Sequence, residues 1–152
     1  MTIDRTTISA QESEILLPGA DGMTRSALLF ARCLMASLAV FGGLQKITDY
    51  EGASHFAAMF GVPFARALMP GAILLELGCA VLLVTQRYCR IGAAIMAAWT
   101  FVLGIWFHPF WAVGPDQWQN MIDSFFHHFV MTGGLLYVVM LGAGPTSSKP
   151  PQ

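Results

Sequence analysis

Glu76 stands alone in the apolar run 67–84, ALMPGAILLELGCAVLLV. Burying a carboxylate at hydrocarbon depth costs roughly 2.5–3.5 kcal/mol on insertion scales, and such residues face a bundle interior or a wet cavity and have a partner. The chain offers Lys46, at the end of the first apolar run, and His127 and His128, at the start of the last. A carboxylate and an ammonium in low dielectric attract strongly, and together they could hold a quinone headgroup or relay a proton, with the Gln45 amide alongside. The same pair could instead be a salt bridge that keeps two helices in register.

The histidines raise a second chemistry. Imidazole ligates haem and other metals and titrates near neutral pH. Neighbouring helix positions point about 100° apart, so His127 and His128 do not both join a ligand set with Glu76. There is no HxxxH spacing. Interfacial histidines beside headgroups fit the pattern better than a metal centre, and no metal site is assigned. Haem is disfavoured, since it would need His108 or His55 as a distal partner. Arg32, inside the first run, is a further buried charge that could meet lipid phosphate, Asp21 or open carbonyls at a helix end. The methionines show no copper-binding cluster. Trp99, Trp106 and Trp111 suit an interfacial aromatic belt or the wall of a quinone slot. Cys89, between Arg87 and Arg90, reads as a loop cysteine whose thiol the flanking cations could acidify.

These side chains need a scaffold, and the composition says what kind. The 152 residues are 55% hydrophobic and 11% charged, against about 25% charged in average soluble domains. A net charge of −1 provides no basic field for nucleic acid. Four apolar runs, 26–47, 67–84, 91–107 and 125–143, approach the length a helix needs to cross about 30 Å of hydrocarbon. Continuous runs without alternation exclude a barrel, so the expected fold is all-α: an integral membrane four-helix bundle. Residues 1–25 read as a polar tail retained in the protein, because they lack a signal peptide's basic start and apolar core; residues 144–152 read as a flexible end. Segment 48–66 carries Phe56, Met59 and Phe60 at helical spacing and suits a short helix on the membrane surface. Segment 108–124, with Trp111, Trp118 and a Gly114-Pro115 turn, reads as an interfacial connection.

Orientation follows from the basic residues. Arg5, Arg25, Arg87, Arg90 and Lys149 fall on the side of the termini, against Lys46 and Arg66 opposite. The positive-inside rule then places both termini in the cytoplasm. Glu76 lies roughly 9–14 Å below the outer end of its span, in the half that also holds Lys46 and the paired histidines.

Small residues mark the faces that pack in lipid. Arg32, Ala36, Ala39, Gly43 and Lys46 form one stripe; Ala72, Glu76, Cys79 and Ala80 another; Ala93, Ala97, Thr100 and Gly104 a third, with His108 next along it. The costly residues therefore lie on the closest-packing faces.

Three stretches resemble the DoxX family of small membrane proteins. ARCLMASLAVFGGLQKI (31–47) is similar to its first helix, with an early Arg and a closing Gly-Leu-Gln-Lys. Residues 67–99 are similar to its second helix, tight basic loop and third helix, with Glu76 at the Glu of its E-L-x-x-x-x-L-L pattern. HHFVMTGGLLYVV (127–139) resembles its last helix, with His127 and His128 where the family often has Lys-Asn. The resemblance covers about residues 26–143. It implies a four-helix bundle in a bacterial inner membrane, associated with respiratory or sulfur and thiol redox systems. It also implies a protein partner, an oxidoreductase subunit, that supplies the redox cofactor.

Together these observations lead to a multi-pass, lipid-embedded chain whose polar cluster of Lys46, Glu76, His128, Gln45, His127 and Arg32 binds a small polar or quinone-type ligand, with a homo-oligomer open. The alternatives are a non-catalytic scaffold for a partner, or a small-solute or proton pathway through Glu76.

Overall fold

Five helices and one short turn account for the residues that the computed structural model describes, 23–85 and 87–143. There is no strand among them. Helix α1 spans Met23–Thr48, α2 Tyr50–Met59, α3 Ala65–Val84, α4 Cys89–Phe107 and α5 Pro115–Leu141, with a 3-10 turn at Phe110–Ala112 before α5. The four longer helices are each long and apolar enough to cross a bilayer. At 26 residues, α1 is about 39 Å long, enough to cross hydrocarbon with a tilt.

The helices form a ring, α1 beside α3, α3 beside α4 and α4 beside α5, closed by a slighter contact between α1 and α5. The seams are made where one side has almost no side chain. A Cβ at Gly43 on α1 would come within 2.7 Å of the Leu77 side chain on α3, one at Gly92 on α4 within 2.6 Å of Leu82 Cβ, and one at Gly104 within 2.8 Å of His128 Cβ on α5. Close backbone approach is how helices gain packing energy in lipid, where burying apolar surface yields little. The three small-residue stripes are accordingly inside. Arg32, Ala36, Ala39, Gly43, Glu76, Cys79, Ala80, Ala93, Ala97, Thr100 and Gly104 are buried, while Lys46 and Ala72 are half-buried. The large side chains face outward, with Phe41 66% and Val130 74% exposed, as suits a molecule surrounded by lipid.

The connections follow local chemistry. Asp49 follows α1 and accepts a bond from Gly52 N at 3.1 Å, an N-cap that starts α2 at once. Helix α2 is the short helix expected in segment 48–66. It turns into α3 through residues 60–64, where Gly61 and Phe64 take positive φ angles of 78° and 51°. Pro70 then falls inside α3. It has no N–H to give to the carbonyl four residues back, at Arg66. The Tyr50 hydroxyl on α2 donates to that carbonyl instead. An orphaned acceptor is thereby satisfied, and the same bond ties α2 to α3.

Two boundaries differ from the sequence expectation. The last helix begins at Pro115 rather than Phe125. Gly114 is its N-cap, Pro115 occupies the first turn and Asp116 faces the positive end of the helix dipole, an arrangement proline and acidic residues favour. The Gly-Pro pair therefore opens a helix that continues through the interfacial segment. Cys89, expected in the loop, is the first residue of α4 and is 1% exposed, which removes it from the solvent that an acidified thiol would need.

Candidate functional site

Glu76 and Lys46 meet because of how side chains leave a helix. A Cα–Cβ bond tilts toward its helix's N-terminus. Helices α1 and α3 run in opposite directions, so Lys46, near the end of α1, leans into the bundle, while Glu76 leans out toward α2. Lys46 Nζ stands 2.9 Å from both Glu76 Oε1 and Oε2. The ammonium also donates to Gly42 O, at 3.3 Å. Gly42 leaves the room this needs: a Cβ there would lie 3.1 Å from Glu76 Oε2. The Glu76 side chain is 6% exposed and that of Lys46 24%.

A third group completes the centre. The Trp99 indole N–H, from α4, donates to Glu76 Oε1 at 3.1 Å. Trp99 is a site residue that the aromatic pattern of its span does not distinguish from an interfacial belt residue. The signal that could have found it is general: an indole N–H inside a bundle must find an acceptor, and Glu76 is the buried acid of that region. No buried side-chain nitrogen or oxygen among the described residues lacks a hydrogen-bond partner.

Above this centre lies a partly open cavity of about 960 Å³, at the upper end of the roughly 300–1,000 Å³ typical of small-molecule sites. Lys46 and Trp99 line it, Gln45, Asp49, His108 and His128 contribute further polar groups, and α2 lies along it through Ala53 and Phe56. The His108 and His128 rings sit with centroids 4.7 Å apart. His128 Nδ1 is 2.8 Å from Ser124 O. A carbonyl only accepts, so Nδ1 carries the proton, and in the neutral ring Nε2 is an acceptor.

The remaining sequence candidates are placed elsewhere. His127 is exposed on the outer face of α5 and is not among the cavity's lining residues. Arg32 shares a stripe with Lys46 but lies 14 residues earlier, about 21 Å along the helix. It is 3% exposed, and its guanidinium donates to Leu28 O at 3.4 Å and to Leu83 O at 3.5 Å. Of the partners considered for it, the carbonyl at the end of α3 is the one it meets, a favourable place for a cation; Asp21 lies outside the described residues. Among the described residues no three of His, Cys, Asp and Glu gather as a metal ligand set.

The DoxX family profile matches residues 27–109, 83 of the 152 residues. The chain belongs to the DoxX family. The DoxX match runs from α1 to just past α4, so it contains Lys46, Glu76, Trp99 and Arg32 and leaves α5, with His127 and His128, outside. No curated protein and no solved structure matches the chain.

Proposed function

We propose that this DoxX-family chain is the membrane subunit of a redox system and that its cavity holds a quinone-type headgroup over the Lys46–Glu76 pair. The observation that carries this is the pair's setting, a fully partnered ion pair and an indole beside a large, mostly apolar cavity.

Net charge at the centre selects the ligand. The carboxylate accepts from Lys46 and Trp99, and the ammonium donates to Glu76 and Gly42 O, so the centre is neutral overall and internally satisfied. A free anion brought beside it would lose its hydration without finding an unpaired cation, and Asp49 on the cavity wall would repel it. A neutral carbonyl-bearing ring loses far less, and the Lys46 donor now directed to Gly42 O can turn to it. His128 Nε2, an acceptor, suits the hydroxyl of the reduced ring. A donor at one end and a proton acceptor at the other are what a headgroup that gains and loses protons with its electrons requires. The electrons would pass to a partner protein that carries the redox cofactor. The distribution of Lys and Arg supports both termini lying in the cytoplasm, in a bacterial inner membrane.

The test is a titration of reconstituted protein with a quinol analogue, wild type against Glu76→Gln. Binding that is lost in the variant, while the bundle stays folded, supports the site. Absence of binding in the wild type, with a large stability loss in the variant, makes the ion pair a helix-register device and the protein a scaffold. A Glu76-dependent proton flux into liposomes would instead establish a proton pathway.

A further inference from the structure

We infer that the cavity is reached sideways from the hydrocarbon, between α3 and α4, and that its ligand is therefore an amphiphile whose head rests at Lys46–Glu76 and whose chain lies against Gly71 and Trp106. The inference rests on the quinone reading for the chemistry of the head; the chain and its route come from how the two helices part.

Helices α3 and α4 form a hairpin that is tight at one end only. Near residues 85–88 a Cβ on Gly92 would lie 3.1 Å from Leu83 N and 3.2 Å from Cys79 O, so the two backbones almost touch. Ala80, Leu83, Ala93 and Ala97 continue this seam inside the core. The hydrogen bond from Trp99 to Glu76 crosses between the same helices further along. Beyond it, the facing residues line the cavity: Leu68, Gly71 and Leu75 on α3, and Val102, Leu103 and Trp106 on α4.

The two rows grade from inside to outside. Leu75 and Leu103 are half-buried, whereas Leu68, Gly71, Val102 and Trp106 are exposed. A lining residue that is also exposed borders an opening, and these lie in segments long and apolar enough to be within the bilayer. Leu68 and Glu76 are eight residues apart, about 12 Å along the helix, which is room for a short stretch of hydrocarbon chain. Gly71 keeps this passage wide, since a Cβ there would meet nothing within 4 Å.

The top of the opening is bridged. Phe56 and Phe60 of the α2 region pack on Phe107 of α4 at ring-centroid distances of 5.7 and 5.3 Å, and Trp106 donates from Nε1 to Phe60 O at 3.0 Å. These rings close the α3–α4 opening on the α2 side, while exposed Gln45, Asp49 and Gly52 border a separate, polar edge of the cavity at the α1–α2 junction. A lipid-dissolved ligand needs no aqueous path, and its chain need not leave hydrocarbon when the head docks.

The test compares a decyl-tailed benzoquinone with the same ring lacking the tail, on reconstituted wild type, Gly71→Trp, the milder Gly71→Leu, and Gly78→Trp. Gly78 lies on the same helix, also meets nothing within 4 Å and does not line the cavity. The tailed probe is expected to bind wild type and Gly78→Trp alike and to lose about tenfold in affinity in Gly71→Trp, with a smaller loss in Gly71→Leu and an unfolding temperature close to wild type. The tail-less probe is expected to bind more weakly and to be unaffected by Gly71→Leu. Equal binding of both probes, or indifference of the tailed probe to both Gly71 variants, overturns the lateral route and leaves the quinone reading standing. Failure of both probes to bind the wild type overturns both readings.

Discussion

Lys46 Nζ lies equidistant, at 2.9 Å, from the two carboxylate oxygens of Glu76, joining α1 to α3 where Gly42 and Gly43 leave room for the Glu76 and Leu77 side chains. The lone acid of the second apolar run is thus neutralised within the bundle. Its energetic role and its proposed ligand role can be separated.

Removing one partner strands the other. Glu76→Gln or Lys46→Met should each lower stability by about 3 kcal/mol, the lower end for broken buried pairs, because the Lys46 stem can still bend toward the interface. The double variant Lys46→Met, Glu76→Leu should recover most of that loss, since a well-packed apolar pair commonly replaces a buried ion pair at little cost. Thermal unfolding of the four proteins in one detergent checks this cycle. Additive losses in the double variant would mean that the two residues are not coupled. The recovered double variant should not bind the quinol analogue.

Tyr50 and Pro70 should be coupled in a different way. The Tyr50 hydroxyl serves an Arg66 carbonyl that Pro70 leaves without a helical donor. Tyr50→Phe should cost about 0.5–1.5 kcal/mol in the natural sequence, the worth of one hydrogen bond. In a Pro70→Ala background, where the restored N–H reaches the same carbonyl, the substitution should cost much less. A double-mutant cycle by thermal unfolding measures the difference, and equal costs in both backgrounds would contradict this account of α2 docking.

His127 and His128 are adjacent and should behave oppositely. His128 lines the cavity, lies beside the His108 ring and donates to Ser124 O, whereas His127, about 100° round the helix, is exposed and does not line it. His128→Ala should weaken binding of the quinol analogue roughly tenfold, or about 1.4 kcal/mol. His127→Ala should leave it unchanged. A titration of each variant decides, and equal effects would remove His128 from the site.

Much of this was legible in the sequence, and the reasons are physical. Charge is so costly in lipid that Glu76 and Lys46 pointed to each other across 30 residues. The stripes of Ala and Gly marked the inward faces because close approach is what binds helices there. What the pattern left open was neighbouring residues and hidden donors. Arg32 shares a face with Lys46 at a different depth, and among the partners the sequence offered it the structure selects the carbonyl at the end of α3. Periodicity alone did not separate His127 from His128. Trp99 resembled a belt residue because its acceptor lies on another helix. The first turns of α5 were hidden by Asp116, Gln117, Gln119, Asn120 and Asp123, which lower the apolar content without interrupting the helix.

Orientation gives another prediction. Arg87 and Arg90 at the α3–α4 turn, opposed by Lys46 and Arg66 at the α2 end, lead by the positive-inside rule to the expectation that α2 lies outside the cytoplasm. A cysteine at the exposed position Ala58 of α2, in a background where Cys33, Cys79 and Cys89 are replaced by alanine, should react with a membrane-impermeant maleimide in intact spheroplasts. Reaction only in inverted vesicles would reverse the topology and place the cavity on the cytoplasmic side.

The most direct measurement is photoaffinity labelling of the reconstituted protein with an azidoquinone, followed by peptide mapping of the adducts. Adducts should fall on cavity residues such as Trp99, Leu103 and His128, be competed by unlabelled quinone and be lost in Glu76→Gln. Labelling confined to outward-facing side chains such as Phe30, Leu74 or Tyr137, insensitive both to competition and to Glu76, would contradict a ligand site at the Lys46–Glu76 pair.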